Sequence, residues 1–265
     1  MDAAFKISDL SISVIEPSSM QWRVIQQHLN EMGVMNIDHF IDGKTALNDM
    51  RKYQPDLVIS TMHLPDITAT DLVQVMRQDG DLEGIPFMVI SSEDSDEYLE
   101  PIRQAGVVAI LPKPFDQAIL TKALYSTLEF IEPDKTELSD INIDELHVLV
   151  VDDSSTARKH ISRVLTNLGV ENLTIAVNGR EAADILADNF FDLIVTDYNM
   201  PEMNGKELAE YVRNESQQSQ VPILMVTSEA NHDHLADIKK SGVSAICDKP
   251  FEPGEVKQLI REIMS

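Results

Sequence analysis

The chain is short of positive charge, cysteine, aromatic residues and long apolar runs, and each shortage removes a class of function. Only 21 Lys and Arg stand against 45 Asp and Glu in 265 residues, a net charge of −24. Nothing here concentrates cations to neutralise phosphates, which argues against nucleic acid and against an anionic membrane surface as partners. A single cysteine, Cys247, excludes a disulfide framework and any Cys-based metal cluster. It lies in an apolar run and is expected to be buried. No run approaches membrane-spanning length. The opening MDAAFKISDL lacks the apolar stretch of a signal peptide, so the cytoplasm is the expected compartment. No glycine-rich loop follows a strand, which argues against a nucleotide or flavin site.

What remains is an ordinary soluble composition, 43% hydrophobic and 25% charged, of a length that suits two domains. An internal repeat says the same. Lys113-Pro114-Phe115 recurs 136 residues later as Lys249-Pro250-Phe251. Without a gap, that offset also aligns Gly33-Val34 with Gly169-Val170, Asp56-Leu57 with Asp192-Leu193, and Ser92-Glu93 with Ser228-Glu229. So long a period reads as a whole domain copied once. The predicted organisation is a first domain over 1–130, a linker over 131–145 and a second domain over 146–265. The linker, IEPDKTELSDINIDE, holds six acids and one base and is expected to run extended and solvated.

Within the second copy, His147–Val151, Leu193–Thr196 and Ile223–Thr227 are short, continuous, β-branched runs. Such runs fit a parallel sheet covered on both faces. Between them lie apolar stripes at helical spacing: Ile161, Val164, Leu165 and Leu168 before Gly169, then Ala182, Ala183, Ile185 and Leu186, then Leu208, Ala209 and Val212. Strand and helix alternate five times in each copy, the first running from Ile12–Ile15 to a last helix near Asp116–Ile131. The fold class is α/β and doubly wound, and its ligands belong at the carboxyl ends of the strands.

Those ends carry an unusual set. Asp152 and Asp153 follow the first strand of the second copy, Asp197 the third, Thr227 closes the fourth, and Lys249 follows the fifth. Three clustered carboxylates repel one another unless a cation intervenes. A hard divalent ion with oxygen ligands, Mg²⁺, suits them. One carboxylate can then act as a nucleophile toward a phosphoryl group whose oxygens Thr227 and Lys249 would receive.

VVDDSS, DLIVTDYNMPEMNG, VPILMVTSEA and CDKPF, in this order and spacing, resemble the CheY-like receiver domain of two-component response regulators, and the resemblance covers nearly the whole chain. It implies two tandem flavodoxin-like (βα)5 domains with sheet order 2-1-3-4-5. It implies phosphoryl transfer to Asp197 from a histidine kinase or histidine phosphotransfer protein. It assigns Mg²⁺ to Asp153, Asp197 and the backbone carbonyl of Asn199, with Asp152 acting mainly through a metal-bound water. Thr227 and Lys249 would hold the phosphoryl oxygens, and Asn199 and Glu229 would tune dephosphorylation toward a short-lived phosphoaspartate. The Lys249-Pro250 peptide is expected to be cis. One departure is Ile246, where the family usually has Tyr or Phe. That puts an aromatic readout in doubt and moves it toward the loop after the fourth strand and the helix near His234–Lys240.

The first copy has lost this set. The offset maps Asp197 to Thr61, Asp153 to Pro17, Asp152 to Glu16, Thr227 to Ser91 and Lys249 to Lys113. Thr61 cannot form an acyl phosphate, and Pro17 has no side-chain ligand. The first domain is therefore expected to be a degenerate receiver. Glu16, one methylene longer than Asp, is predicted to reach Lys113 in a salt bridge where the metal would otherwise sit, with Thr61 filling the remaining polar space. Trp22 is expected to be at least half-buried on the first helix. His63, His232 and His234 lack the ligand sets of a metal site. Without a DNA-binding or enzymatic output domain, output is expected through protein–protein contact, with homodimerisation open. The alternatives are a phosphate sink or relay and, more weakly, an aspartate-nucleophile phosphohydrolase.

Overall fold

The computed structural model describes residues 5–93, 95–133, 138, 141–228 and 238–264. The chain divides into two compact units, Met1–Glu132 and Pro133–Ser265. In the first, the order is β1 (Ser11–Ile15), α1 (Ser19–Glu31), β2 (Asn36–Phe40), α2 (Gly43–Met50), β3 (Leu57–Thr61), α3 (Ala69–Gln78), β4 (Phe87–Ser91), α4 (Asp96–Gln104), β5 (Ala109–Pro112) and α5 (Gln117–Ile131). The second repeats it as β6 (His147–Val151), α6 (Ser155–Leu168), β7 (Asn172–Ala176), α7 (Gly179–Asp188), β8 (Leu193–Asp197), α8 (Gly205–Asn214), β9 (Ile223–Thr227), β10 (Ala245–Asp248) and a last helix α9 (Pro253–Met264). Each sheet is parallel, with order β2-β1-β3-β4-β5 and β7-β6-β8-β9-β10. The expected fold and strand order are both present.

The strands form where the sequence runs apolar on both faces. In the first unit Val58, Phe87 and Val89 pack with Leu72 and Met76 of α3 on one side of the sheet. Their neighbours Ile59, Met88 and Ile90 pack with Ile25 and Leu29 of α1 and Leu120 and Leu124 of α5 on the other. This is period-two alternation with both sides dry. Burying each such side chain stabilises by about 1.5–3 kcal/mol. Helix starts are fixed by short polar caps. Ser18 and Ser154 accept from the third helical N–H of α1 and α6, as do Asp42, Asn178 and Asn204 at α2, α7 and α8. Gly169 ends α6 at φ 116°, the left-handed conformation its position demanded.

Helix α5 ends at Ile131, where the first copy's last helix was expected to end, because Leu128 and Ile131 pack on the α1/α5 side of the core. The segment before β6 differs from expectation. Residues 141–146 turn rather than run extended. Ile143 and Leu146 donate backbone bonds to Ile141 and Ile143, and Asn172 Nδ2 donates to Asp144 O at 3.1 Å. Both Lys113-Pro114 and Lys249-Pro250 are cis. Among the described residues no helix is long and apolar enough to cross a membrane.

Candidate functional site

Register brings the polar strand ends together. Val151 pairs with Thr196, Asp197 with Val226, and Thr227 with Asp248. The carboxyl ends of β6, β8, β9 and β10 therefore form one edge. Asp197 is the last residue of β8 rather than the first of the loop, and Tyr198 N–H donates to Val226 O at 3.2 Å just beyond it. Asp152, Asp153 and Asp197 place carboxylate oxygens within 4.8 Å of one another. Lys249 Nζ lies 2.9 Å from Asp197 Oδ1 and 3.3 Å from Asp152 Oδ2, and all three of these side chains are buried. Asp152 Oδ1 accepts from Ser154 N–H at 2.8 Å. Asp153 is exposed, Asn199 is exposed two residues after Asp197, and Thr227 is fully buried at the end of β9.

The electrostatics are unbalanced. Three carboxylates face one ammonium, and the second oxygen of Asp197, Oδ2, is buried without a partner among the described residues. Burial pushes the Asp197 carboxyl up to about 7, with Lys249 opposing and Asp152 adding to the rise. Burial likewise raises Asp152 against the pull of Lys249. A buried acceptor with no donor and an excess of negative charge are the features a hard cation relieves, and an all-oxygen donor set fits Mg²⁺. Glu229 lies outside the described residues, as do His232, His234 and most of the 234–240 segment. Ile246 is half-buried on β10, and Cys247 is buried, its thiol pushed well up by burial.

The equivalent place in the first unit has the same geometry with different chemistry. Lys113 Nζ meets Glu16 Oε2 at 3.3 Å and donates to Thr61 Oγ1 at 3.1 Å. Ser18 N–H donates to Glu16 Oε1 at 2.8 Å. Glu16 thus takes over both contacts of Asp152, and the Thr61 hydroxyl stands where an oxygen of Asp197 would. The expected salt bridge is present, and one carboxylate balances one ammonium. Ser91 is buried, its Oγ accepting from Glu93 N–H at 3.0 Å, and Pro17 is exposed. His63 Nε2 lies 3.6 Å from Glu93 Oε1 at the rim, with no third ligand grouped with them among the described residues.

Two features escaped the sequence reading. Arg77 donates to the carbonyls of Glu83, Ile85 and Gly106 at 2.9–3.0 Å, and Arg213 to those of Ser219, Val221 and Gly242 at 2.8–3.0 Å. These are one fork, used twice at the 136-residue offset, and the repeat itself held the signal. The other concerns the carbonyl that opens the acidic turn. In the second unit Arg158 Nη1 donates to Asp152 O at 2.5 Å. In the first, Trp22 replaces that arginine, half-buried as expected. It stacks on His39 at 4.2 Å, and His39 Nε2–H donates to Glu16 O at 2.9 Å.

The repeat and the fold agree with the family to which the chain is similar. The model of the response regulator receiver domain matches residues 12–125 and again 148–261. The chain belongs to that family, as two tandem receiver domains. It is 41% identical over 120 residues to a chemotaxis protein CheY homolog of Campylobacter jejuni, covering 45% of this chain and 92% of that one. It is 38% identical over 118 residues to the chemotaxis protein CheY of Pseudomonas aeruginosa, covering 44% and 95%. Among solved structures, the Vibrio cholerae chemotaxis protein CheY4 aligns at 35% identity and TM-score 0.42, over 44% of this chain and 98% of that one.

Proposed function

We propose that this chain is a cytoplasmic response regulator in which the second unit alone accepts a phosphoryl group, on Asp197, from a phosphohistidine of a kinase or phosphotransfer protein. One observation carries the reading. Asp197 Oδ1 is held by Lys249 at 2.9 Å, while Oδ2 is buried, without a partner among the described residues, inside a three-carboxylate cluster. In the transfer, a P–O bond forms to Asp197, the P–N bond of the donor breaks, and the departing imidazole keeps the electron pair and takes a proton. Asp153, Asp197 and the Asn199 carbonyl would hold Mg²⁺, with Asp152 supporting it through water. The ion supplies positive charge against the phosphoryl oxygens. Lys249 is placed to move from Asp197 to the new phosphoryl oxygens, and the Thr227 hydroxyl is the donor expected to follow. Asn199 and Glu229 set the approach of the hydrolytic water, giving a short-lived adduct.

The added charge shifts binding to an output protein. The first unit, neutral at its own pocket, takes no phosphoryl group and serves as a docking or control module. The test is phosphorylation by acetyl phosphate or a phosphohistidine donor with Mg²⁺, read by mass spectrometry. One phosphoryl group is expected in 146–265 and none in 1–130, and Asp197→Asn abolishes it. Label in the first half, or none anywhere, refutes the reading. A pull-down with and without beryllofluoride separates a binding switch from a phosphate sink, which changes no affinity.

A further inference from the structure

We propose that Arg158 is a positioning residue that sets the Asp152–Asp153 turn for its cation. The inference rests on the reading of the second unit as a Mg²⁺-assisted phosphoryl acceptor. Both acids lie in the short turn between β6 and α6, and their carboxylates meet Asp197 only if that turn is held. Arg158, partly buried one turn into α6, donates from Nη1 to the carbonyl oxygen of Asp152. A cation near a helix N-terminus runs against the helix dipole, so its place there needs a local reason.

Two observations supply one. Arg158 bonds the backbone and, among the described residues, forms no ion pair with Asp152 or Asp153. It therefore fixes the turn without occupying the oxygens a cation needs. The first unit is an internal control. There the acid pair has become Glu16-Pro17, and the arginine has become Trp22. The same carbonyl is still held, but by His39 stacked on that tryptophan. The anchor for the carbonyl is kept in both units, whereas the fixed cation is kept only where the acid pair survives. Partners that orient ligands from outside typically change metal affinity about 10–100-fold when removed.

The experiment is a calorimetric titration of the full-length chain with Mg²⁺ alone, using Asp153→Asn to identify the heat that belongs to this site. Arg158→Met is expected to weaken Mg²⁺ binding about tenfold, and Arg158→Lys to keep most of the affinity. In acetyl phosphate labelling of Arg158→Met, half-saturating Mg²⁺ should rise by the same factor while the rate at saturating Mg²⁺ stays at the wild-type value. A purely electrostatic role gives the opposite sign, because loss of a nearby positive charge tightens a cation. Unchanged or tighter binding in Arg158→Met therefore overturns the proposal. Should Arg158→Met not fold, Arg158→Gln, two atoms short of Nη1, decides by the same criterion. Wild-type protein without Asp153-dependent binding defeats the phosphoryl-acceptor reading and this inference together. Wild-type binding with an indifferent Arg158→Met defeats this inference alone.

Discussion

At the scale of single residues, the two pockets show one geometry under two charge states. Asp197 binds its proton more tightly in the folded protein than an ordinary carboxyl does, because burial disfavours its charge. The stability it contributes is complete below pH about 4 and is lost as pH rises through about 7. In chelator, Asp197→Asn should therefore be more stable than wild type at pH 8, by about 1–3 kcal/mol. The gap should shrink toward pH 5, where the native carboxyl is already neutral. Thermal melts across that range check it, and a gap indifferent to pH contradicts it. In the first unit the carboxylate already has its cation. Lys113→Met strands Glu16, whose side chain is 4% exposed, and should cost about 2–3 kcal/mol. Adding Glu16→Gln should recover most of that loss, and a double-mutant cycle by denaturant unfolding measures the coupling. Loss that simply adds would mean the pair is not coupled. The pairing of Glu16 with Lys113 was legible in the sequence, since subtracting one offset exposes both the missing acids and the surviving lysine. The Asp197 oxygen with no donor among the described residues was not, because lone-pair satisfaction depends on which atoms meet in space.

At the scale of elements, the strands place the chemistry and a few contacts between loops and helices hold the strands' ends. The fork of Arg213 ties α8 to the loop entering β9 and to the Gly242 carbonyl before β10. Arg213→Met leaves three acceptors to find new donors and should destabilise the second unit by about 2–4 kcal/mol. Arg213→Lys should rescue little, because one ammonium cannot span the planar fork. Urea unfolding decides it, and full rescue by lysine would show that charge alone matters. Gly205 opens α8 under the end of β8, donating to Tyr198 O at 2.9 Å, and a Cβ there would collide with the Asp197 carbonyl oxygen. The first unit carries Ala69 at that place, with the matching bond to Met62 O at 2.9 Å. A methyl is thus compatible with the turn where no phosphoacceptor needs placing. Gly205→Ala should leave the unit folded but cut phosphoryl labelling of Asp197 at least tenfold, an estimate from how sharply transfer depends on position. Labelling at the wild-type rate would show that the contact does not set the acceptor.

At the scale of the whole molecule, one architecture appears twice, and only one copy keeps an excess of negative charge at its pocket. Ion binding stabilises the state that binds it, by an amount set by concentration over affinity. Trp22 is the only tryptophan, so its fluorescence reports the first unit without labels. Millimolar Mg²⁺ should raise the melting of the second unit, followed by circular dichroism as the transition that Trp22 fluorescence does not report, and leave the Trp22 transition where it was. A Trp22 transition that follows Mg²⁺ would contradict the view that the first pocket needs no cation.

The sequence by itself determined the two-copy plan and the identity of the polar strand ends, because hydrophobic periodicity and a gapless repeat are one-dimensional signals; the strand order followed only from the resemblance to receiver domains. It also contained the Arg77/Arg213 repeat, which passed unread because an arginine on a helix face looks solvated until its carbonyl partners are placed. Only the tertiary structure decided that residues 141–146 turn, that Arg158 and His39 serve equivalent backbone carbonyls in the two units, and that one oxygen of Asp197 is buried without a partner among the described residues. Those facts depend on which atoms meet across strands far apart in the chain, and pattern along a sequence carries no such distances.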